Sequence, residues 1–70
     1  MSPEQSRAAR GWLRMKQTAL ADLAGVCPET VKRFERRMLN PHPSNLCAMR
    51  AALESAGITF LPNGITMGNP

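Results

Sequence analysis

The apolar residues fall into four groups at helical spacing, followed by a short segment that is typical of β-strands. A first helix starts at Ser2-Pro3-Glu4-Gln5, where Ser caps the helix, Pro takes its first position and Gln completes a capping box. We expect this helix to end at about Met15. Its predicted buried stripe, at intervals of three to four residues, consists of Ala8, Ala9, Trp12 and Leu13.

The second group predicts a short helix over residues 17–24. Leu20, Ala21 and Ala24 lie on one face of that helix. Gly25 follows, and a glycine closes a helix readily because it adopts the left-handed conformation without steric cost. A helix of about two turns is not stable alone, so packing against the rest of the chain must hold it in place.

The third group predicts a helix with one apolar and one charged side. Pro28 at its first position and Glu29 near the positive end of its dipole mark the start, and we expect it to span about residues 28–38. Val31 and Phe34, three positions apart, point to the core. The remaining surface carries Glu29, Lys32, Arg33, Arg36 and Arg37.

The Pro-rich stretch Asn40-Pro41-His42-Pro43 ends the third helix, and Ser44 is the expected cap of a fourth helix that Gly57 closes. Residues 58–67 are β-like, with two short runs around Asn63-Gly64, which is a strong hairpin signal. The predicted buried stripe of the fourth helix consists of Leu46, Met49, Leu53 and Ala56.

These elements predict an all-α fold, a compact four-helix domain with a short C-terminal β-strand or hairpin. The 70 residues leave room for one small core. We expect residues 1–57 to form the helical domain and residues 58–70 to form a β-like segment and tail. A lone hairpin is marginal in water, so this segment either pairs two copies of the chain or folds back on the fourth helix.

Positive charge is concentrated in the first part of the chain. Nine Lys and Arg against five Asp and Glu give a net charge of +4, and only Arg50 and Glu54 lie beyond residue 40. This excess favours an acidic partner such as nucleic acid or an anionic surface, with a solvated helix face as the alternative. The chain has no long apolar run and no apolar signal core, so we expect a cytoplasmic protein with no membrane partner.

Candidate chemistry is sparse. Cys27, Cys47 and His42 lack a C-x-x-C pair and a fourth ligand, so we expect no metal and no cofactor. Cys27 at a helix start is either a redox-sensitive thiol or an inert one. There is no phosphate-binding glycine loop and no nucleophile with its base, and a chain this short does not easily build a catalytic pocket. We therefore do not expect an enzyme.

The most specific motif spans the second and third helices. Gln17-x-x-Leu20-Ala21-x-x-Ala24-Gly25-Val26, followed by Thr30-Val31-x-x-Phe34-Glu35, resembles the helix-turn-helix of the phage-repressor or xenobiotic-response-element family of bacterial regulators. The likeness covers roughly residues 3–57. It implies a helix-turn-helix fold and a transcriptional regulator whose third helix, about residues 28–38, enters the major groove of DNA.

The resemblance also implies roles for individual residues. The residue that matches Gln17 contacts a phosphate, and the base-reading positions correspond to Pro28, Glu29 and Arg33. Arg33 can hold guanine O6 and N7 bidentately. Glu29 either accepts from cytosine N4 or serves only the helix dipole, and Pro28 offers apolar contact alone.

Backbone contacts form a second implied set. Phosphate contact is the implied role, with solvation as the alternative, of Thr30, Lys32, Arg36, Arg37 and the Cys27 N–H. Arg10 and Glu35 match a pair that bridges the first and third helices. That pair has a structural role, since removal of one partner would strand the charge of the other.

The sequence therefore predicts a sequence-specific regulator that binds double-stranded DNA as a homodimer. One copy reads only a few base pairs, so a near-palindromic site with half-sites about 34 Å apart is expected. An antitoxin-like or adaptor protein is the alternative, with a protein partner such as a toxin or RNA polymerase as its main target.

Overall fold

The computed structural model describes residues 1–67 and contains four helices and one hairpin. The hairpin follows the last helix and its two strands are antiparallel. This architecture confirms the fold class predicted from the sequence. The elements are α1 (Pro3–Leu13), α2 (Gln17–Ala24), α3 (Pro28–Glu35), α4 (Pro43–Ser55), β1 (Ile58–Leu61) and β2 (Gly64–Met67).

Side-chain caps begin the first and last helices. At α1 the Ser2 hydroxyl accepts from the Gln5 N–H at 3.1 Å, and Gln5 Oε1 accepts from the Ser2 N–H at 2.8 Å. The predicted capping box is thus confirmed. The prediction of Ser44 as the α4 cap is wrong, because Pro43 already occupies the first helical position and the cap lies one residue before it. His42 is the cap, and its Nδ1 accepts from the Ser44 N–H at 3.2 Å.

The first three helices end in the same way. Arg14, Gly25 and Arg37 have left-handed backbones, with φ of 54°, 70° and 60°. After each of them, the next N–H bonds the carbonyl five residues earlier, at 2.8 Å in α1 and α3 and at 3.0 Å in α2. This closure stops the helix. The expected ends at about Met15 and residue 38 are therefore too late, since Arg36 and Arg37 lie in the turn after α3.

The core lies between the helices and the hairpin. The buried stripe predicted for α1 is partly wrong, because Ala8 is exposed and the Trp12 side chain is 63% exposed. The inward face of α1 is instead formed around Ser6 and Ala9, which are fully buried. Ala56 of the α4 stripe is also exposed. The buried apolar residues are Ala9, Leu20, Ala21, Val31, Phe34, Met49, Leu53 and Ile58.

The hairpin turn lies one residue earlier than the sequence predicts. Leu61 pairs with Gly64, so the two central residues of the turn are Pro62 and Asn63 rather than Asn63 and Gly64. Proline fixes φ near −65° and suits the first central position of a turn. Gln5 Nε2 donates to the carbonyls of Leu61 at 2.6 Å and Gly64 at 2.9 Å, which ties this turn to α1.

One face of the hairpin is apolar and packs on the helices. Ile58 is buried, the side chains of Phe60, Ile65 and Met67 pack against the core, and the paired Thr59 and Thr66 are exposed. The hairpin is thus folded back, with β1 on α4 and β2 on α1, and it belongs to the same core as the helices. Pairing of two copies through this segment stays a prediction.

The tail of the predicted C-terminal segment, residues 68–70, lies outside the described residues. None of the helices within residues 1–67 has the length and apolar character needed to cross a membrane.

Candidate nucleic-acid interface

Two short helices joined by a tight turn hold the charged surface of the molecule. The turn is closed by Gly25, and the Val26 N–H bonds the Ala21 carbonyl at 3.0 Å. Ala21 is completely buried, so a larger side chain there would force the two helices apart. Val31 anchors the inner side of α3 in the core. The turn and the core together fix the direction in which α3 presents its outer side.

The outer side of α3 and the turn after it carry most of the residues predicted to read bases or contact phosphates. Val31, Phe34 and Glu35 form the buried side of α3. Thr30 is half-buried at the border, and its N–H bonds the Cys27 carbonyl at 2.9 Å. The exposed residues, which we call the α3 face, are Cys27, Pro28, Glu29, Lys32, Arg33, Arg36 and Arg37.

Two of the predicted base-reading residues contact each other. Arg33 Nε lies 3.2 Å from Glu29 Oε2, four positions earlier on the same helix, and both side chains are about half exposed. Sequence reasoning assigned the two residues separate roles, although their spacing favours this pair. Within residues 1–67, Lys32 and Arg36 have no carboxylate at ion-pair distance, so their charges are available to an anionic partner.

The predicted phosphate contact Arg37 already has a partner in the domain. Its guanidinium donates from Nε to Glu4 Oε2 at 3.1 Å and also from Nη2. This hydrogen bond holds the pKa of Glu4 below its ordinary value. A phosphate that binds Arg37 must compete with the Glu4 carboxylate. The pair of Arg37 and Glu4 is exposed, and an exposed ion pair is weak in water.

Sequence reasoning missed a further cation beside the start of α2. Arg14 is exposed and ends α1 in a left-handed conformation, a position usually occupied by glycine. Exposed Lys16 follows two residues later and caps α2 without a side-chain hydrogen bond. The available signal was the basic pair on either side of Met15, but periodicity placed Arg14 inside the first helix.

A buried carboxylate joins the three helices behind the α3 face. The side chain of Glu35 is 1% exposed, and Arg10 binds it through Nη2 at 2.6 Å and Nε at 2.8 Å. The Ser6 hydroxyl donates to Glu35 Oε2 at 2.6 Å, and Gln17 Nε2 donates to Oε1 at 3.1 Å. Arg10 and Ser6 belong to α1 and Gln17 to α2, so the last residue of α3 is tied to both.

The hydrogen bonds to Glu35 keep it ionised. Burial acts to raise its pKa, but the bonds from Arg10, Ser6 and Gln17 outweigh burial, and the pKa lies below its ordinary value. A fourth residue, Arg7, donates from Nη1 to the Glu35 backbone carbonyl at 2.5 Å.

Sequence reasoning found the pair of Arg10 and Glu35 through the family resemblance but missed the role of Ser6. The signal was the i, i+4 spacing of Ser6 and Arg10, which puts both on the inward face of α1. Gln17, the predicted phosphate contact, donates at least one N–H of its side-chain amide to Glu35 within the protein. Its contact with DNA stays a prediction.

The side chains that could bind a metal do not form a cluster within residues 1–67. Cys27 and Cys47 are free thiols on the surface. Among residues 1–67, no three His, Cys, Asp or Glu side chains lie close enough to share a metal ion.

A short helix, a glycine turn and a second helix with a basic outer face define a helix-turn-helix protein. The solution structure of the DNA-binding domain of the P22 C2 repressor is similar, with a TM-score of 0.68 and 35% sequence identity, and the match covers 74% of this chain and 68% of that domain. The chain therefore belongs to the phage-repressor-like helix-turn-helix family. No family model matches the sequence, and a search of curated proteins also finds no match.

Proposed function

We propose that the chain is a sequence-specific regulator of transcription that binds double-stranded DNA with the α3 face in the major groove. The observation that carries this proposal is the division of α3 and the turn after it into a buried side and an exposed side. The exposed side has four cations, Lys32 and Arg33 on α3 and Arg36 and Arg37 in the turn. A groove about 12 Å wide admits one helix. The family membership supports it, since the P22 C2 repressor domain binds DNA.

Within this proposal the residues of the α3 face have different tasks. Arg33 binds guanine O6 and N7, and Pro28 offers an apolar contact to a thymine methyl group. Phosphates are bound without regard to sequence by Gln17, the Cys27 N–H, Thr30, Lys32, Arg36 and Arg37. The cations Arg14 and Lys16, which flank Met15, extend the phosphate-binding surface beyond the start of α2.

The regulator acts as a homodimer on a near-palindromic site. Two copies with half-sites about 34 Å apart would double the number of base pairs read, which useful specificity requires. The exposed side of the hairpin, around Thr59 and Thr66, is the candidate contact between copies. Sedimentation of the full chain with and without its DNA site tests the dimer directly.

Selection of bound sequences from random duplex DNA tests the proposed function. We expect enrichment of one near-palindromic sequence and an affinity that falls steeply with salt. Arg33→Ala should relax the preference at one base pair. Arg37→Ala should weaken binding to all sequences alike and reduce the salt slope by about 1. Arg50→Ala, a loss of the same charge on α4, is the control. A chain that binds no duplex even at low salt would refute the proposal.

A protein-binding role is the second candidate, and exposed apolar side chains favour it. Trp12 on α1 and Leu23 on α2 are each 63% exposed and lie outside the α3 face. A toxin or RNA polymerase would be the partner in that role. Trp12→Ser should leave DNA affinity unchanged and abolish regulation of a reporter promoter if partner binding is the main role.

A further inference from the structure

The α3 face contains one carboxylate among its cations. Glu29 lies in the first turn of α3, and its Oε2 accepts from Arg33 Nε at 3.2 Å. A carboxylate in the major groove is repelled by the phosphates on both sides, and this repulsion weakens binding to every sequence. The helix dipole favours a carboxylate in the first turn, and contacts with Arg33 or with a base are the other interactions that can offset this cost.

The hydrogen bond uses the part of the guanidinium that a guanine does not need. A guanidinium has five N–H donors in one plane. Glu29 takes the donor on Nε and leaves the four donors on the two terminal nitrogens of Arg33. A bidentate contact to guanine O6 and N7 requires two donors. Arg33 can therefore bind Glu29 and a guanine at the same time.

The value of the pair depends on its surroundings. On the free protein both side chains are about half exposed, and a surface pair of this kind contributes little to folding. In the groove, water is excluded and the effective dielectric constant falls, so the same contact becomes stronger. The pair therefore has its main effect in the DNA complex.

We propose that Glu29 is a positioning residue that fixes the guanidinium plane of Arg33 toward one guanine and thereby sets the specificity at that base pair. The inference rests on the proposed function. It assigns Glu29 no base of its own, in contrast to direct acceptance from a cytosine amino group. Loss of the Glu29 carboxylate should therefore change two quantities in opposite directions. The affinity for unrelated DNA should rise, and the discrimination at the Arg33 base pair should fall.

The chain provides a matched control for these two changes. Arg50 Nε lies 3.0 Å from Glu54 Oε2 on α4, and both side chains are again about half exposed. Glu54→Gln removes the same negative charge from the same kind of pair, away from the α3 face. Glu29→Gln keeps the size and an acceptor oxygen, and Glu29→Ala removes both. Each variant is titrated with the selected duplex, with duplexes changed at one base pair at a time, and with unrelated duplex.

Arg33→Ala is expected to lose about 5- to 150-fold of discrimination at its base pair. We expect Glu29→Ala to lose about tenfold of the discrimination at that base pair, and Glu29→Gln to lose less. The double variant, with both Glu29→Ala and Arg33→Ala, should lose no more discrimination than Arg33→Ala alone. Binding of the Glu29 variants to unrelated duplex should tighten at least as much as binding of Glu54→Gln.

An unchanged discrimination ratio in both Glu29 variants would overturn this inference and leave the proposed function intact. A loss of preference at a different base pair from the one affected by Arg33→Ala would also overturn it, because Glu29 would then read a base directly. A parent chain that selects no sequence refutes the proposed function, and the inference falls with it.

Discussion

Two Arg–Glu pairs of the same chemistry lie in opposite surroundings, one on each side of α3. Behind α3, the Glu35 carboxylate is 1% exposed and receives hydrogen bonds from Arg10, Ser6 and Gln17. On the α3 face, Glu29 is 53% exposed and has Arg33 as its side-chain partner. The two glutamates are only six positions apart in the sequence, but they face opposite sides of one helix.

The difference shows how burial separates structural charges from functional ones. A carboxylate taken out of water loses several kcal/mol of hydration, so it is tolerated only with a full set of donors that cannot leave. Glu35 therefore holds α1, α2 and α3 in a fixed arrangement. An exposed pair loses little hydration and contributes about 0.2–1 kcal/mol. Arg33 is therefore free to add a contact with DNA at small cost.

The largest predicted effect is that of Arg10→Ala. Loss of this arginine leaves the buried Glu35 carboxylate without its cation, which should cost about 3–5 kcal/mol of the free energy of unfolding. A small domain has only about 5–15 kcal/mol in total. Urea denaturation followed by circular dichroism measures the loss. A change below about 1 kcal/mol would show that the buried and exposed pairs do not differ in the way proposed.

Ser6→Ala should have a smaller effect. The fully buried hydroxyl donates to Glu35 at 2.6 Å, and a hydrogen bond to a charged group contributes about 1.5–3 kcal/mol. Arg10 still bonds the same carboxylate oxygen at 2.8 Å, so the charge keeps its main partner. The same urea titration applies. The matched control is Ser55→Ala, at an exposed serine in the last turn of α4.

Acid should also weaken the domain, because the folded state disfavours protonation of Glu35. The pKa of Glu35 in the folded state lies below its ordinary value of 4.5. Its contribution to stability is therefore complete above that ordinary value and is lost as the pH falls through the folded pKa. Unfolding at stepped pH should show this loss in the parent chain and not in Glu35→Gln. The pKa of the exposed Glu4 is also lowered, so Glu4 contributes to the pH dependence in the same direction. The variant Glu4→Gln removes that contribution and leaves the contribution of Glu35.

The smallest effect on stability belongs to Glu29→Ala. The exposed pair on α3 should contribute at most about 0.5 kcal/mol, close to that of the pair of Arg50 and Glu54 on α4. Thermal unfolding of Glu29→Ala beside Glu54→Ala compares the two. A loss above about 2 kcal/mol in the Glu29 variant would mean that it holds the fold and does not act mainly in binding.

Local signals in the sequence predicted where most elements begin. Ser2 and Gln5 act through hydrogen bonds to each other, Pro28 acts through its fixed φ and Gly25 closes α2 through its left-handed backbone. These positions are as expected in the structure. Helix ends were harder to predict. Arg14 and Arg37 end helices in a conformation that arginine seldom adopts, and nothing in the composition of the chain distinguishes them from helix-forming residues.

Features that depend on tertiary contacts were mispredicted as well. The periodicity of apolar residues placed Trp12 on the buried face of α1 and Ser6 outside it. A pattern of apolar residues carries no information on a buried carboxylate, which requires polar side chains on the inner face. The contact of Glu29 with Arg33 was within reach of the i, i+4 rule. The link of Gln17 to Glu35 was not, since it joins residues 18 positions apart.

Gln5 connects the two ends of the described chain. Its amide oxygen belongs to the cap of α1, and its amide nitrogen holds both carbonyls that flank the hairpin turn. Fraying of the opening turn of α1 would therefore remove the donor that holds both carbonyls of the hairpin turn. We expect the first turn of α1 and the hairpin tip to lose hydrogen-exchange protection together, although 56 and 59 positions separate the bonded residues.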